Sequence, residues 1–487
     1  VEITLKILDE VNCKFIGLPL EHRKALYNKN KVFDPSMKYI PQVKMGLWSG
    51  EKHYFSMGGE TYINLLEPIL QYLIDNGFEI NIEDNRSYNR NFQFDPIDNT
   101  YLSHISWPAT HQLAGQPIIL RDHQVIAANT MMDNIQSLSI LCTGFGKSAL
   151  TAVLSKKVEK YGRSIVIVPN KDLITQTEAY YKLIGLDVGV YYGTRKEFFK
   201  KHTICTWQSL GNLSKTPLDI GLADPMTIEK FSEGVVAVMV DECHGLKGSI
   251  LTQLMTKNFA TIPIRWGLTG TMPKEDFENI NLKISIGEIV QTVRSIDMQE
   301  IGVLSKCDVK VIQLEDYKQF PDYQTEYSYL VTDPARLTFI AKMITGIADS
   351  GNTLVLVGRK ETGEFLQKQI PNSVFISSKT KSTSRKEHYD EVETSTNKVI
   401  IATSQLAAVG LDIPKLSNLV MIENGKSFVR TIQSIGRVLR THFAKDGAII
   451  WDICSTCRHS KKHLTQRKKY YSEQEFPFTI EKVIWQQ

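Results

Sequence analysis

The chain has 487 residues, of which 42% are hydrophobic and 23% charged, and its formal net charge is +4. That length exceeds one ordinary core and calls for about two to four domains. No run approaches the ~18 apolar residues of a membrane span, and so mild a charge does not by itself announce nucleic-acid binding. The start, "VEITLKILDE", lacks an initiator Met, which points to processing or trimming, and is acidic and alternating, unlike a signal peptide. Seven cysteines (Cys13, Cys142, Cys205, Cys243, Cys307, Cys454 and Cys457) are scattered rather than set out as a secreted disulfide framework, so a reducing cytoplasm is expected.

From the N-terminus, "EITLKIL" alternates as a strand does, and "EHRKALY" and "NLLEPILQYLIDNGF" carry helical spacing. The second of these is expected to stop at Asn76-Gly77, where glycine accepts a left-handed cap. Residues 1–105 read as a small α+β unit, closed by a polar linker broken at Pro96, "NRSYNRNFQFDPIDNT". After Gln116 the texture changes. "SLSILC", "SIVIVP", "VVAVMVDE" and "IRWGLTG" are short apolar runs rich in β-branched residues, with helical stretches between them. Strands buried on both faces and alternating with helices predict a parallel α/β sheet over residues 106–300. The pattern pauses around residues 290–335 and returns in "NTLVLVG", "NSVFIS", "KVIIATS", "NLVMIE" and "GAIIWDI". A second α/β domain is expected over 301–455, followed by a basic C-terminal extension, 456–487. No solenoid repeat or low-complexity tract is present.

"LCTGFGKSAL", residues 141–150, stands between the first of those strands and the next helix. A glycine-rich segment there is either a tight turn alone or a cradle of backbone N–H groups around a phosphate at a helix N-terminus. In the nucleotide reading Thr143, Gly144, Phe145 and Gly146 form the loop, Lys147 neutralises the β- and γ-phosphates, and Ser148 places its hydroxyl on Mg2+. The pattern G-x-x-x-x-G-K-[ST] is imperfect, because Leu141 stands where the first glycine belongs. Its required context, a strand before and a helix after, is present. Downstream, "VVAVMVDECH" puts Asp241 and Glu242 at the end of an apolar strand, the edge of a parallel sheet where ligands bind. Asp241 is the candidate to hold Mg2+ through water, and Glu242 to polarise the attacking water.

"DECH" after "CTGFGKS" resembles the superfamily-2 helicases and translocases, and further family motifs occur in order over about residues 115–455. "ILRDHQ" resembles the segment in which a glutamine reads adenine, nominating Gln124 with Arg121 beside it. "IVPNKDLITQ" and "TWQSL" resemble motifs that meet a nucleic-acid backbone, nominating Asn170, Lys171, Thr206 and Gln208. "LTGT" resembles the motif that links the ATP site to DNA, giving Thr269 and Thr271 coupling roles together with His244 of "DECH". "ATSQLAAVGLDIP" nominates Gly410 and Asp412 for the nucleotide, with Thr403 and Ser404 for nucleic acid. "QSIGRVLR" nominates Gln433, Arg437 and Arg440 for catalysis. Within the superfamily, "KMGLWSGEKHYF" followed by "LLEPILQYLIDNGFEI" resembles the small N-terminal DNA-binding domain of the UvsW-type branch-migration helicases of tailed bacteriophages. "IGVLSKCDVKVIQL" resembles the entry to their second motor domain. The resemblance implies an α/β chain of two tandem RecA-like parallel-sheet domains behind a small α+β N-terminal domain. It also implies ATP and Mg2+ as cofactors, and 3′→5′ unwinding and branch migration of forks and Holliday junctions in phage recombination, repair or replication.

Phosphoryl transfer needs charge stabilisation around the γ-phosphate. Arg437 and Arg440 are three apart, so a helix sends both guanidinium groups to one face. If both reach ATP across a cleft, hydrolysis depends on closure of the two domains. Loop positions add Arg359 and Lys360 to the nucleic-acid candidates. Small hydroxyls, amides and backbone N–H groups suit phosphates and carry little base information, so sequence-independent tracking is expected. Three features each keep two readings. Cys454-x-x-Cys457 with His459 and His463 is a zinc site by ligand type, or a pair of strand-end cysteines. "RHSKKHLTQRKKYY", with Arg458, Lys461, Lys462, Arg467, Lys468 and Lys469 beside Tyr470 and Tyr471, is a backbone-binding face or a solvated helix. Trp48, with Lys52 nearby, is a core residue or a DNA contact. The competing activities are an RNA helicase and a nucleotide-gated DNA-binding module without turnover. A monomer in the host cytoplasm, away from membranes, is the default.

Overall fold

The structure is a computed structural model describing residues 1–86, 92–109, 111, 113–221, 224–244, 249–273, 275–377, 380, 382–404, 415–423, 425 and 447–485. The chain divides into two compact units, Val1–Leu141 with Gly146–Thr292, and Cys142–Phe145 with Val293–Gln487. Among the described residues no helix is long and apolar enough to cross a membrane.

In the first unit the alternating strand Glu2–Ile7 buries every second residue, Ile3, Leu5 and Ile7. It pairs antiparallel with Asn12–Ile16 and parallel with Glu79–Asp84. The small sheet runs in the order Glu60–Tyr62, Asn12–Ile16, Glu2–Ile7, Glu79–Asp84. Helix Leu66–Asp75 lays Leu66, Ile69 and Leu73 into a core shared with Phe15 and Phe55. It stops at Asn76, and Gly77 takes a φ of +76°. This α+β module is fastened to helix Asp276–Ser285. Lys52 Nζ and Tyr54 Oη donate to Asn281 Oδ1 at 3.2 and 3.1 Å, and Asn64 Nδ2 donates to the Lys283 carbonyl at 2.9 Å. The stretch expected to be a linker packs in its described part. Phe92 and Phe94 set their rings 5.1 and 5.4 Å from Tyr161, and Ile97 exchanges hydrogen bonds with the Asn129 side chain. Its few aromatics decide its course, where its overall polarity pointed to a free connection.

The first large sheet has the order Arg195–Lys196, Val188–Tyr192, His202–Thr206, Arg163–Val168, Val235–Asp241, Ile264–Thr269, Gln136–Leu141, Glu288–Val293. Its inner strands are parallel, and every residue of Val235–Asp241 is buried. That explains the unbroken apolar runs. All five strands from Gln136–Leu141 to His202–Thr206 deliver their C-terminal ends to one edge.

The second unit holds a parallel sheet in the order Ser373–Ile376, Val399–Thr403, Thr353–Val357, Asn418–Ile422, Gly447–Ser455, Lys306–Leu314, Phe478–Val483. Helix Pro334–Ala348 packs Leu337, Ile340 and Ile344 onto it. Residues 456–487 contribute to this sheet. Helix Arg458–Glu473 buries Ser460, Leu464, Arg467, Tyr470 and Tyr471, and Phe478–Val483 pairs with Lys306–Leu314. The backbone-binding reading of that segment is corrected for three residues. Arg467 is held by Asp452 in a two-bond pair at 2.8 and 2.9 Å, Tyr471 Oη donates to Asp452 at 2.8 Å, and Tyr470 is buried. Arg458, Lys461, Lys462 and Lys469 stay exposed.

Candidate functional site

The segment 141–150 leaves strand Gln136–Leu141 and enters helix Lys147–Val158. Leu141 is fully buried and its φ is not positive, so the strand end has no need of the glycine the pattern asks for. Gly144 and Gly146 do need to be glycine, with φ of +89° and +97°. Gly146 is also crowded, since an added Cβ would stand 2.5 Å from Gln124 Nε2. Gln124 is held from its own helix start, where its Oε1 accepts from the Arg121 N–H at 3.0 Å. The residue nominated for adenine and the glycine nominated for phosphate are therefore packed together. Phe145 is buried, Ser148 is buried in the first turn of its helix, and Thr143 is half-buried.

Strand Ile264–Thr269 lies between the strand that precedes the loop and the strand that ends in Asp241, pairing Thr269 with Ile140 and Leu268 with Asp241. This order gathers the next residues. Lys147 Nζ lies 3.1 Å from Glu242 Oε1 and 3.3 Å from the Leu141 carbonyl. Glu242 Oε2 lies 3.3 Å from His244 Nδ1, which is 3.0 Å from Thr269 Oγ1, and Thr269 Oγ1 donates to the Thr271 carbonyl at 2.8 Å. A continuous polar chain thus runs Lys147, Glu242, His244, Thr269, Thr271. The Glu242 backbone sits at φ +52°, a left-handed conformation that costs a non-glycine residue about 1–3 kcal/mol. Asp241 fixes it by accepting the Glu242 N–H at 2.9 Å.

Burial pushes the Asp241 carboxyl up from its ordinary value, against the pull of Lys147. Burial also works against Glu242, yet Lys147 and His244 together hold it below its usual range and keep it ionised. Glu242 Oε2 and Thr271 Oγ1 are buried without a well-formed hydrogen bond among the described residues. Those oxygens, with the hard donors Ser148 and Asp241, suit a hydrated hard cation and a water rather than a soft metal. No cluster of three or more His, Cys, Asp or Glu able to hold a metal occurs among the described residues. Cys454 is buried within a strand, and the Cys457 thiol reaches the Lys318 carbonyl. His459 and His463 set their rings against Tyr323.

The nucleic-acid candidates of the first unit share the edge that carries the loop. Asn170 and Thr206 cap the helices after neighbouring strands, accepting from Leu173 and Ser209, while Lys171 and Gln208 are exposed. In the second unit Val357 pairs with Thr403, which brings Arg359, Lys360, Thr403 and Ser404 to one edge of that sheet. Arg359 lies over the Tyr327 ring at 5.5 Å and donates to Ser328 Oγ at 3.1 Å. Lys360 pairs with Glu364, and Ser404 Oγ donates to the Val357 carbonyl. Gly410, Asp412, Gln433, Arg437 and Arg440 lie outside the described residues. Sequence spacing did not point to Tyr323 and Tyr327, stacked at 5.6 Å beside Arg359; two tyrosines four apart carry no signal until the edge is assembled.

Residues 117–274 match the family described as Type III restriction enzyme, res subunit, and residues 335–442 match the helicase conserved C-terminal domain. The chain is 25% identical over 359 residues to the ATP-dependent DNA helicase uvsW of Enterobacteria phage T4, covering 68% of this chain and 67% of that protein. It is 22% identical over 404 residues to the DNA 3′-5′ helicase XPB of Mycobacterium tuberculosis, covering 77% and 70%. Among solved structures, Dbp5 of S. cerevisiae bound to RNA and ADP BeF3 shares the fold, with a TM-score of 0.54 at 15% identity over 74% of this chain and 90% of that one. The two domain matches fall in tandem on the two parallel sheets, and the chain is accordingly an ATP-hydrolysing helicase of superfamily 2, similar to UvsW.

Proposed function

We propose that the chain is an ATP-driven DNA translocase that unwinds and branch-migrates forked and four-way DNA, moving 3′→5′, in phage recombination, repair or replication. The observation that carries the catalytic part is the 3.1 Å approach of Lys147 to Glu242, continued through His244 to Thr269 and Thr271. Lys147 would neutralise the β- and γ-phosphates, and Gln124 with Arg121 would read the adenine. Ionised Glu242 would accept a hydrogen bond from the attacking water and orient it in line with the γ-phosphorus. Ser148 and Asp241 would hold Mg2+, which when bound draws charge from the phosphate oxygens. Gly410, Asp412 and Gln433 would complete the nucleotide site, and Arg437 and Arg440 would stabilise the charge that develops on transfer.

The link from Glu242 to the Thr269–Thr271 loop offers a route by which the state of the phosphate reaches nucleic acid. Contacts from Asn170, Lys171, Thr206, Gln208, Arg359, Lys360, Thr403 and Ser404 would be to backbone, which suits tracking without base recognition. The DNA substrate and the direction are supported by the names of the uvsW and XPB relatives. The test compares forked DNA, four-way DNA, plain duplex and RNA as stimulators of ATP hydrolysis and as unwinding substrates. Faster unwinding of the branched DNAs is expected. Equal rates on all DNAs remove branch specificity, and stimulation by RNA alone replaces DNA as the substrate.

A further inference from the structure

We propose that Tyr181 and His202 are positioning residues for nucleic-acid-stimulated ATP hydrolysis, acting through a buried column of hydrogen bonds that anchors three elements of the first unit together. The inference rests on the helicase reading above, which places the phosphates on one of those elements and the nucleic-acid backbone on the other two.

The column starts on the helix that carries the phosphate lysine. Thr151, Ser155 and Glu159 follow Lys147 at successive steps of four, so they lie along one ridge of helix Lys147–Val158 and its C-cap. The helical rise sets Glu159 about 18 Å from Lys147. Tyr181 Oη donates to the Thr151 carbonyl at 3.1 Å and meets Ser155 Oγ at 2.6 Å. Ser155 Oγ lies 2.9 Å from Ser164 Oγ, which lies 2.8 Å from His202 Nδ1. His202 Nε2 closes the column on Glu159 at 3.1 Å. Ser164 and His202 are register partners on neighbouring parallel strands.

Each partner leads back to the edge that carries the site. Tyr181 belongs to helix Lys171–Leu183, which Asn170 caps. His202 opens strand His202–Thr206, and Thr206 caps the helix that holds Gln208. The column lies where strands Arg163–Val168 and His202–Thr206 begin, the sheet edge opposite the phosphate loop. Lys147, Asn170 with Lys171, and Thr206 thus stand at the far ends of three elements whose other ends are tied together. Rigid elements joined at one end by hydrogen bonds carry a displacement of one tip to the others. This route shares no residue with the chain that runs from Lys147 to Thr271.

Packing alone asks for nothing polar here. Thr151, Ser155, Ser164, Tyr181 and His202 are all buried, and a buried hydroxyl is costly unless hydrogen-bonded. Apolar contacts of the same volume would hold the helices on the sheet; directional bonds also fix their height along it. Burial pushes the Tyr181 phenol up and the His202 imidazole down, so both stay neutral near pH 7 and the column is fixed without a fully buried charge.

The test uses the full chain and the reciprocity of linked binding: if DNA promotes turnover through the anchor, the nucleotide must change DNA affinity through it as well. Fork affinity is measured by anisotropy with and without a non-hydrolysable ATP analogue, and ATP turnover with and without the same fork. Wild type is compared with Tyr181→Phe, Ser155→Ala and Ser164→Ala, which cut the column, and with Ile184→Ala. Ile184 is buried at the end of the Tyr181 helix, so its truncation loosens packing and leaves every bond of the column in place. The analogue is expected to change wild-type fork affinity by a factor of at least about five. Tyr181→Phe and Ser164→Ala bring that factor below about two and lower maximal DNA-stimulated turnover at least about fivefold, while unstimulated turnover and the KM for ATP stay within about twofold. Ile184→Ala keeps the factor. Where Tyr181→Phe does not fold, Ser155→Ala, which removes one hydroxyl, takes its place. A factor unchanged in either column variant, lowered as far by Ile184→Ala, or equal to one in the wild type overturns the anchor, and a wild type still stimulated by DNA leaves the helicase reading standing. A wild type that no DNA stimulates removes both.

Discussion

Gly146 joins two demands at one position, a left-handed φ of +97° and contact with Gln124. Gly146→Ala is expected to weaken ATP binding about tenfold through backbone strain and displacement of the glutamine. Adding Gln124→Ala should then cost little more, because neighbours of this kind are non-additive. Strictly additive losses, read with a fluorescent ATP analogue, contradict the packing. A second residue sets a pH response. His202 is fully buried, with Nδ1 2.8 Å from Ser164 Oγ and Nε2 3.1 Å from Glu159. Burial holds its pKa below the ordinary 6.5, with Glu159 opposing in part. The unfolded chain therefore takes up the proton more readily. The stability contributed by neutral His202 is complete above that ordinary value and is lost as pH falls through the depressed folded one. The urea midpoint of the wild type is expected to fall between about pH 7.5 and about pH 5.5, with a shallower fall for His202→Gln. Equal slopes for the two proteins contradict the assignment.

At the scale of elements, helix Arg458–Glu473 shows how a core face can be concealed. Ser460, Leu464, Arg467 and Tyr471 recur at helical spacing and are buried, but one of them is an arginine in a run of basic residues, so the sequence presents a solvated or DNA-binding surface. The charge is tolerated because Asp452 takes both ends of the guanidinium fork and Tyr471 takes a further lone pair. Removing one partner leaves the other charged and buried, so Arg467→Ala is expected to destabilise the second unit by about 3–5 kcal/mol, measured by chemical denaturation. A loss under about 1 kcal/mol, the size typical of a surface pair, contradicts burial of the pair. The strands Lys306–Leu314 and Phe478–Val483 were harder to see for a related reason. Lys306–Leu314 starts with alternating burial, and Phe478–Val483 is an exposed edge; neither gives the continuous apolar run that marks the inner strands. Where both faces are covered, as in Val235–Asp241 and Thr353–Val357, the strand was legible without any structure.

For the whole molecule, the order of modules and the sheet edge of the site could be read from sequence, because strands buried on both faces and loops at their C-terminal ends leave a strong pattern. The polar chain from Lys147 to Thr271 could not, because it depends on strand Ile264–Thr269 lying between two strands that precede it in the chain. The arginines nominated from "QSIGRVLR" carry a prediction of their own. Arg440→Ala is expected to keep ATP binding and to slow turnover at least about a hundredfold, since an arginine finger acts mainly on the transition state. Loss of binding with turnover intact contradicts that role. The central claim is that Glu242, held ionised beside Lys147, makes nucleic-acid-stimulated ATP hydrolysis the work of this sheet edge. Steady-state ATP turnover of wild type and Glu242→Gln, each with and without forked DNA, tests it most directly. Stimulation of the wild type and a fall of at least about a hundredfold for the variant, with ATP still bound, are predicted; turnover by the variant within about threefold of wild type, or a wild type indifferent to DNA, contradicts the account.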